Sequence, residues 1–238
     1  MAATNATSFP IILPSERLRP FRRDLAELII GFAMILLVLW LPTREQLVFG
    51  PIALLAPLAL TLWRRPSREE LGTSGRQFLR SLWILPASIA LAAVSALLAQ
   101  RFGTFHALFQ PDFEHVGGYV LWTIYQQFLL QDFFMPRLTR VLNQESAIAL
   151  GGVLFAAAHL PNPTLTLATL AWGVVSCWLF RRYRSLWVLG LAQGLLGLGF
   201  AICVPNAMHH HMRVGLGYIR YHAVQASQPA ALPITTGR

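Results

Sequence analysis

The chain has 238 residues, of which 55% are hydrophobic and only 12% charged, with a formal net charge of +9 and a mean hydropathy of +0.52. A soluble domain carries about 25% charged residues, so this chain cannot clothe itself in polar surface and needs lipid as solvent. The positive charge does not signal nucleic acid: every basic residue is arginine, and the arginines sit between apolar runs rather than on one soluble face.

Residues 1–25 place Arg17, Arg19, Arg22 and Arg23 before the first apolar run. No small-residue cleavage site follows, so the run reads as an uncleaved first span at about 27–42. Further spans are expected at about 46–63, ended by Arg64-Arg65-Pro66, and at about 81–99, with a charged loop over 66–80 between them. A polar loop over 101–116 leads to a fourth span at about 117–136, ended by Pro136-Arg137. A fifth, at about 146–160, stops at Pro161-Asn162-Pro163, and a sixth, at about 164–180, stops at Arg181-Arg182. The seventh lies at about 186–204. The tail beyond it is expected to be disordered from about 223.

The expected fold is therefore all-α, a polytopic transmembrane bundle of about seven spans with the N-terminus inside. With that topology only Arg44, Arg101, Arg213, Arg220 and Arg238 fall outside, as the positive-inside rule requires. Such a chain belongs in a bacterial inner (plasma) membrane. Cys177 and Cys203 fall in different spans, near opposite ends, so no disulfide is expected.

Polar groups stranded in hydrocarbon are the pointers to function. In span four these are Gln126, Gln127, Gln131 and Asp132. Gln127 and Gln131 are one turn apart and share a face, while Gln126 lies about 100° round the helix from Gln127. Amides so placed can simply glue helices together, and Asp132 can serve as a partner of Arg137. His159 ends span five, on the face of Phe155 and after three alanines that permit close helix approach. Gln193 stands in mid-span seven, with Gly194 and Gly197 beside it. The run His209-His210-His211 reads as solvated, because adjacent imidazoles seldom converge on one metal.

In order and spacing these residues resemble the CPBP intramembrane proteases, relatives of the CAAX prenyl endopeptidases, whose motifs are Glu-Glu-x-x-x-Arg, Phe-x-x-x-His and His-x-x-x-Asn or Asp. Gln126-Gln127-x-x-x-Gln131 stands in the place of the first. Phe155-x-x-x-His159 matches the second, and Gln193-x-x-x-Gly197 stands in the place of the third. The resemblance implies three parts: an N-terminal arm with three additional helices over 1–116, a four-helix core over 117–204, and a histidine-containing extracytoplasmic tail over 205–238.

It further implies an intramembrane endopeptidase acting in the bilayer on a membrane-embedded or lipidated protein, with no cofactor and no metal. His159, Gln126, Gln127 and Gln193 take the catalytic positions, and Phe155, Gln131, Asp132 and Gly197 support them. The departure is chemical. A glutamine amide hydrogen-bonds water but cannot take its proton, so the glutamate base of the family is missing. Asp132, about 140° from Gln127 and about 240° from Gln126, faces elsewhere unless the helix is broken. Two other readings follow: a catalytically inactive member serving as a scaffold, chaperone or immunity protein, and a transporter or channel component, for which only the polar-lined bundle and the prolines of span two speak.

Overall fold

The computed structural model describes residues 14–108 and 112–227. The start of the N-terminal arm, the middle of the 101–116 loop and the end of the tail lie outside them, as do the side chains of Arg17, Arg19 and Arg238.

Helices follow one another along the described chain: α1 (Pro14–Trp40), α2 (Thr43–Trp63), α3 (Gly75–Ser81), α4 (Ile84–Arg101), α5 (Phe113–Phe128), a π-helical segment (Leu129–Phe134), α6 (Met135–Val141), α7 (Gln144–Ala157), α8 (Pro163–Tyr183), α9 (Leu186–Cys203), α10 (Asn206–His209) and α11 (Gly215–Ser227). Each of the seven anticipated apolar segments lies in a helix. Four segments are long and apolar enough to cross a membrane by length and composition: Thr43–Trp63, Gly75–Arg101, Pro163–Tyr183 and Leu186–Cys203.

Helix starts follow capping chemistry. Asp112, Asn143 and Asn162 accept from the backbone N–H groups of His115, Ser146 and Leu165 at the starts of α5, α7 and α8. Pro163, at the first position of α8, needs no N–H partner there.

Packing is closest between α7 and α8 and between α9 and each of α4 and α5, while α1 lies against α2, α6 and α11. Small residues make these approaches possible. A Cβ on Gly173 would sit 2.9 Å from the Cα of Gly152, so any larger residue at Gly173 would force α7 and α8 apart. The core they enclose includes Leu28, Phe133, Leu138, Phe155, Cys177 and Leu189. Both cysteines are free thiols.

Three expectations need correction. The fourth span does not end at Pro136-Arg137 but continues as α6 to Val141. Pro136 has no N–H for the carbonyl four residues back, and the chain answers with the wider π turn just upstream rather than by stopping. The tail is not disordered from 223: α11 runs to Ser227, and Gly215, at φ +55°, is pressed against the Leu39 carbonyl of α1, a conformation and a spacing that suit only glycine. The histidine run is not simply solvated. His209 is 2% exposed and stacks on His106 with ring centroids 6.0 Å apart.

Candidate functional site in the α5–α9 core

Three helices bring the predicted amides together. Gln127 on α5 donates to Gln193 on α9 at 2.6 Å, and Gln193 in turn donates to Gln126. Gln131, in the π segment, donates to Gln127 at 3.1 Å and to Ser176 on α8 at 3.4 Å. Trp172 of α8 donates its indole N–H to the same Gln193 oxygen at 3.0 Å. Gln127 is fully buried, and Gln131 and Gln193 nearly so. In a low-dielectric core each amide bond is strong and each unpaired polar atom costly, so the network is a stable way to hold four glutamines in hydrocarbon. It joins α5, α8 and α9 without any charge.

His159 does not join it. Its Nδ1 lies 2.7 Å from the Phe155 carbonyl. A carbonyl only accepts, so Nδ1 carries the proton and Nε2 keeps its lone pair. The ring also meets the Phe155 ring edge-on at 5.0 Å. Phe155 therefore orients the imidazole twice, through backbone and side chain. His159, Gln126 and Gln193 all line one cavity of about 1200 Å³ between α1, α2, α4, α5, α7, α8 and α9. Its wall is mostly apolar, as a hydrocarbon chain or an apolar peptide segment requires.

One end of the cavity is covered by the segment after α9. His211, Met212 and Val214 line it there. The cover is anchored by Asn162, which is fully buried and donates to the carbonyls of His209 at 2.8 Å and Arg213 at 3.1 Å. The Gly215 N–H adds a bond to the Leu160 carbonyl at 2.8 Å. Burial first, then the facing imidazoles of His106 and His211, hold His209 below the ordinary histidine range.

Asp132 is not the partner of Arg137. Arg137, 1% exposed, binds Glu27 through Nε at 2.7 Å and donates to the Phe133 carbonyl. Asp132 is buried in the π segment, its Oδ2 unpartnered among the described residues, and it does not line the cavity. Gly197 supplies no side chain, and the Tyr119 hydroxyl packs against it: a Cβ there would collide with that oxygen.

Sequence reasoning passed over Trp172, Ser176 and Tyr119. An aromatic residue inside an apolar span reads as packing or as an interfacial anchor, and nothing in spacing shows which way its polar tip turns.

Residues 115–198 match the family model Rce1-like, described as type II CAAX prenyl endopeptidase Rce1-like. The match runs from the first turn of α5 to α9, so it contains the whole amide network and His159. No curated protein and no solved structure matches the chain.

Proposed function

The segment 115–198 belongs to the CPBP/CAAX prenyl endopeptidase family, and from that premise we propose that the protein is a CAAX-type intramembrane endopeptidase acting on membrane-associated or lipidated proteins. The topology is seven spans with the N-terminus inside a bacterial plasma membrane, supported by the arginine asymmetry. The helices of 1–116 add to a core over 117–204.

One observation carries the reading: His159 is held through Nδ1 with its Nε2 lone pair free, in the wall of the same apolar cavity as Gln126 and Gln193. The substrate's lipid or apolar segment fills the cavity. His159 Nε2 takes a proton from water as the water oxygen bonds to the scissile carbonyl carbon. The C–N bond then breaks, and the imidazolium returns the proton to the leaving amine. Histidine is a competent general base near neutral pH, and such a base contributes about 10²–10⁴-fold to rate. Gln126 and Gln193 shape the polar side of the site.

The test uses purified protein in liposomes and a fluorogenic peptide bearing an isoprenyl thioether. His159→Ala should lower turnover by about 10²-fold or more. Equal cleavage by variant and parent overturns the reading.

A second reading has an observation of its own. The four glutamines bond to one another in a chain, and no carboxylate stands among them. That favours an inactive member which keeps the cavity to bind a membrane partner, as a scaffold, chaperone or immunity protein would. Turnover by the native protein rules it out.

A further inference from the structure

The cavity wall holds four hydroxyl groups, and three of them are spent on their own helices. Ser88 donates to the Ile84 carbonyl at 2.8 Å, Ser95 to Leu91 at 2.9 Å and Thr169 to Leu165 at 2.8 Å. The Trp172 N–H is committed to Gln193. Tyr119 differs. Among the described residues its hydroxyl makes no hydrogen bond, whereas its neighbour Tyr125 donates to the Leu54 carbonyl at 2.6 Å.

The placement of Tyr119 is specific. It lies seven residues before Gln126 on α5, so the two share one face, and both line the cavity. Its oxygen rests against Gly197, which is one helical turn beyond Gln193 on α9. The missing side chain at Gly197 is the slot that lets the phenol reach this point: a Cβ there cannot coexist with the hydroxyl where it stands. A polar tip kept unpaired in an apolar wall is held ready for a partner that arrives from outside.

The polar groups that line the same cavity define that partner. His159 Nε2 is an acceptor, fixed by the bond from Nδ1 to Phe155. The Gln193 N–H is committed to the Gln126 oxygen, while the NH2 group of Gln126 donates to no described residue. The wall thus presents an acceptor that can take a proton and, in the Tyr119 hydroxyl, an unspent donor fixed against Gly197, which is the pair a peptide carbonyl attacked by water needs.

We propose that Tyr119 is a catalytic residue whose hydroxyl, seated in the slot left by Gly197, donates a hydrogen bond to the carbonyl oxygen of the substrate peptide. As water adds to the carbonyl carbon, that oxygen gains negative charge and the bond to Tyr119 strengthens, while the phenol keeps its proton throughout. This role rests on the endopeptidase reading above.

The experiment has two arms that separate the failure of this proposal from the failure of that reading. In the first, parent, His159→Ala, Tyr119→Phe and Gly197→Ala proteins in liposomes are given the isoprenyl peptide. Loss of one such donor lowers kcat by about 10²–10³-fold, so Tyr119→Phe should do so with KM nearly unchanged and the thermal transition retained. Gly197→Ala, which displaces the phenol while leaving it in the chain, should fall with it. A parent that cleaves and a Tyr119→Phe variant that cleaves equally well overturn the Tyr119 proposal alone. A parent that does not cleave overturns the endopeptidase reading, and the second arm then decides Tyr119.

That arm compares, in a His159→Ala background, binding of the peptide with binding of its trans-alkene isostere, which lacks the carbonyl oxygen. With Tyr119 present the carbonyl ligand should bind about 3- to 10-fold tighter, and Tyr119→Phe should erase the difference. Discrimination that survives Tyr119→Phe overturns the proposal.

Discussion

At one end of the bundle Asp24 and Glu27 of α1 bind Arg64, Arg137 and Arg140 in a network of ion pairs 2.6–3.0 Å long. Six residues back along the same chain, at Gln131, a second polar network begins, and it contains no charge at all. Both networks tie distant segments together, α1 and α2 to α6 in the first, α5 to α8 and α9 in the second. Charge is affordable where side chains can reach the headgroups and water, and hydrocarbon penalises it steeply a turn or two deeper. Neutral amides avoid that penalty, but they give up proton transfer. The amide network is polar architecture that transfers no proton, and the imidazole of His159, just beyond the far end of α7, stands apart from it.

The sharpest way to break this contrast is to strand a charge in the first network. Glu27→Ala leaves the guanidinium of Arg137, 1% exposed, without its carboxylate. Removing one member of a buried pair costs about 3–5 kcal/mol, so thermal unfolding in detergent should drop further than for any single amide change. A loss no larger than that of Gln127→Ala would show that the two networks do not differ in the way their charge suggests.

Next in size are two glutamate substitutions that look alike in sequence and differ in the structure. Gln127 uses both ends of its amide, donating to Gln193 and accepting from Gln131. A carboxylate there faces the Gln193 oxygen with no proton between them, and an unsatisfied buried group costs about 1–3 kcal/mol. Gln126 only accepts, from Gln193, and it borders the cavity. Gln126→Glu keeps that bond and adds a base. Gln127→Glu should therefore destabilise the fold, whereas Gln126→Glu should leave unfolding nearly unchanged and raise peptide turnover. Equal stability of the two proteins would sink the assignment of donors and acceptors in the network.

Much of this arrangement was legible in the sequence. The apolar runs gave the helices, because a polar backbone in lipid has no other way to satisfy itself. The rarity of polar groups within them singled out Gln126, Gln127, His159 and Gln193, and Asp132, which the resemblance put among the supporting residues, does not line the cavity. The rest depended on geometry that spacing does not carry. Pro136 reads as a stop, but a helix can absorb proline by widening upstream, and only the surrounding packing decides between the two. Arg137 pairs with Glu27, 110 residues away, rather than with the nearby Asp132. His209 is buried where Asn162 ties its backbone to the α7–α8 turn, a contact no local pattern announces. Tyr119 and Trp172 were invisible for a related reason: whether an aromatic side chain is packing or a hydrogen-bond donor depends on what stands opposite its polar tip.

A smaller effect is expected at the cover of the cavity. Asn162→Ala removes the cap of α8 together with two bonds to the segment after α9. Cap loss alone costs about 1 kcal/mol, and the released cover should also expose the cavity, so that a water-soluble thiol reagent reacts faster with a cysteine placed at Met212. Unchanged labelling would mean that the cover is held by its apolar contacts and not by Asn162.

The smallest effect tests the network at its edge. Trp172→Phe keeps the ring and most of its packing but deletes the N–H that reaches Gln193. The Gln193 oxygen still accepts from Gln127, so no acceptor is orphaned and the cost should be that of one neutral bond, about 0.5–1.5 kcal/mol. What the variant should change more clearly is freedom. With one of its two donors gone, the Gln193 oxygen is held by Gln127 alone, and the amide is freer to rock away from the geometry in which its N–H reaches Gln126. Trp172→Phe combined with Gln126→Glu should then lose more stability than the two changes added separately, because the carboxylate depends on the Gln193 N–H that the indole keeps in place. Strict additivity in unfolding measurements would show that the indole does not hold the orientation of Gln193.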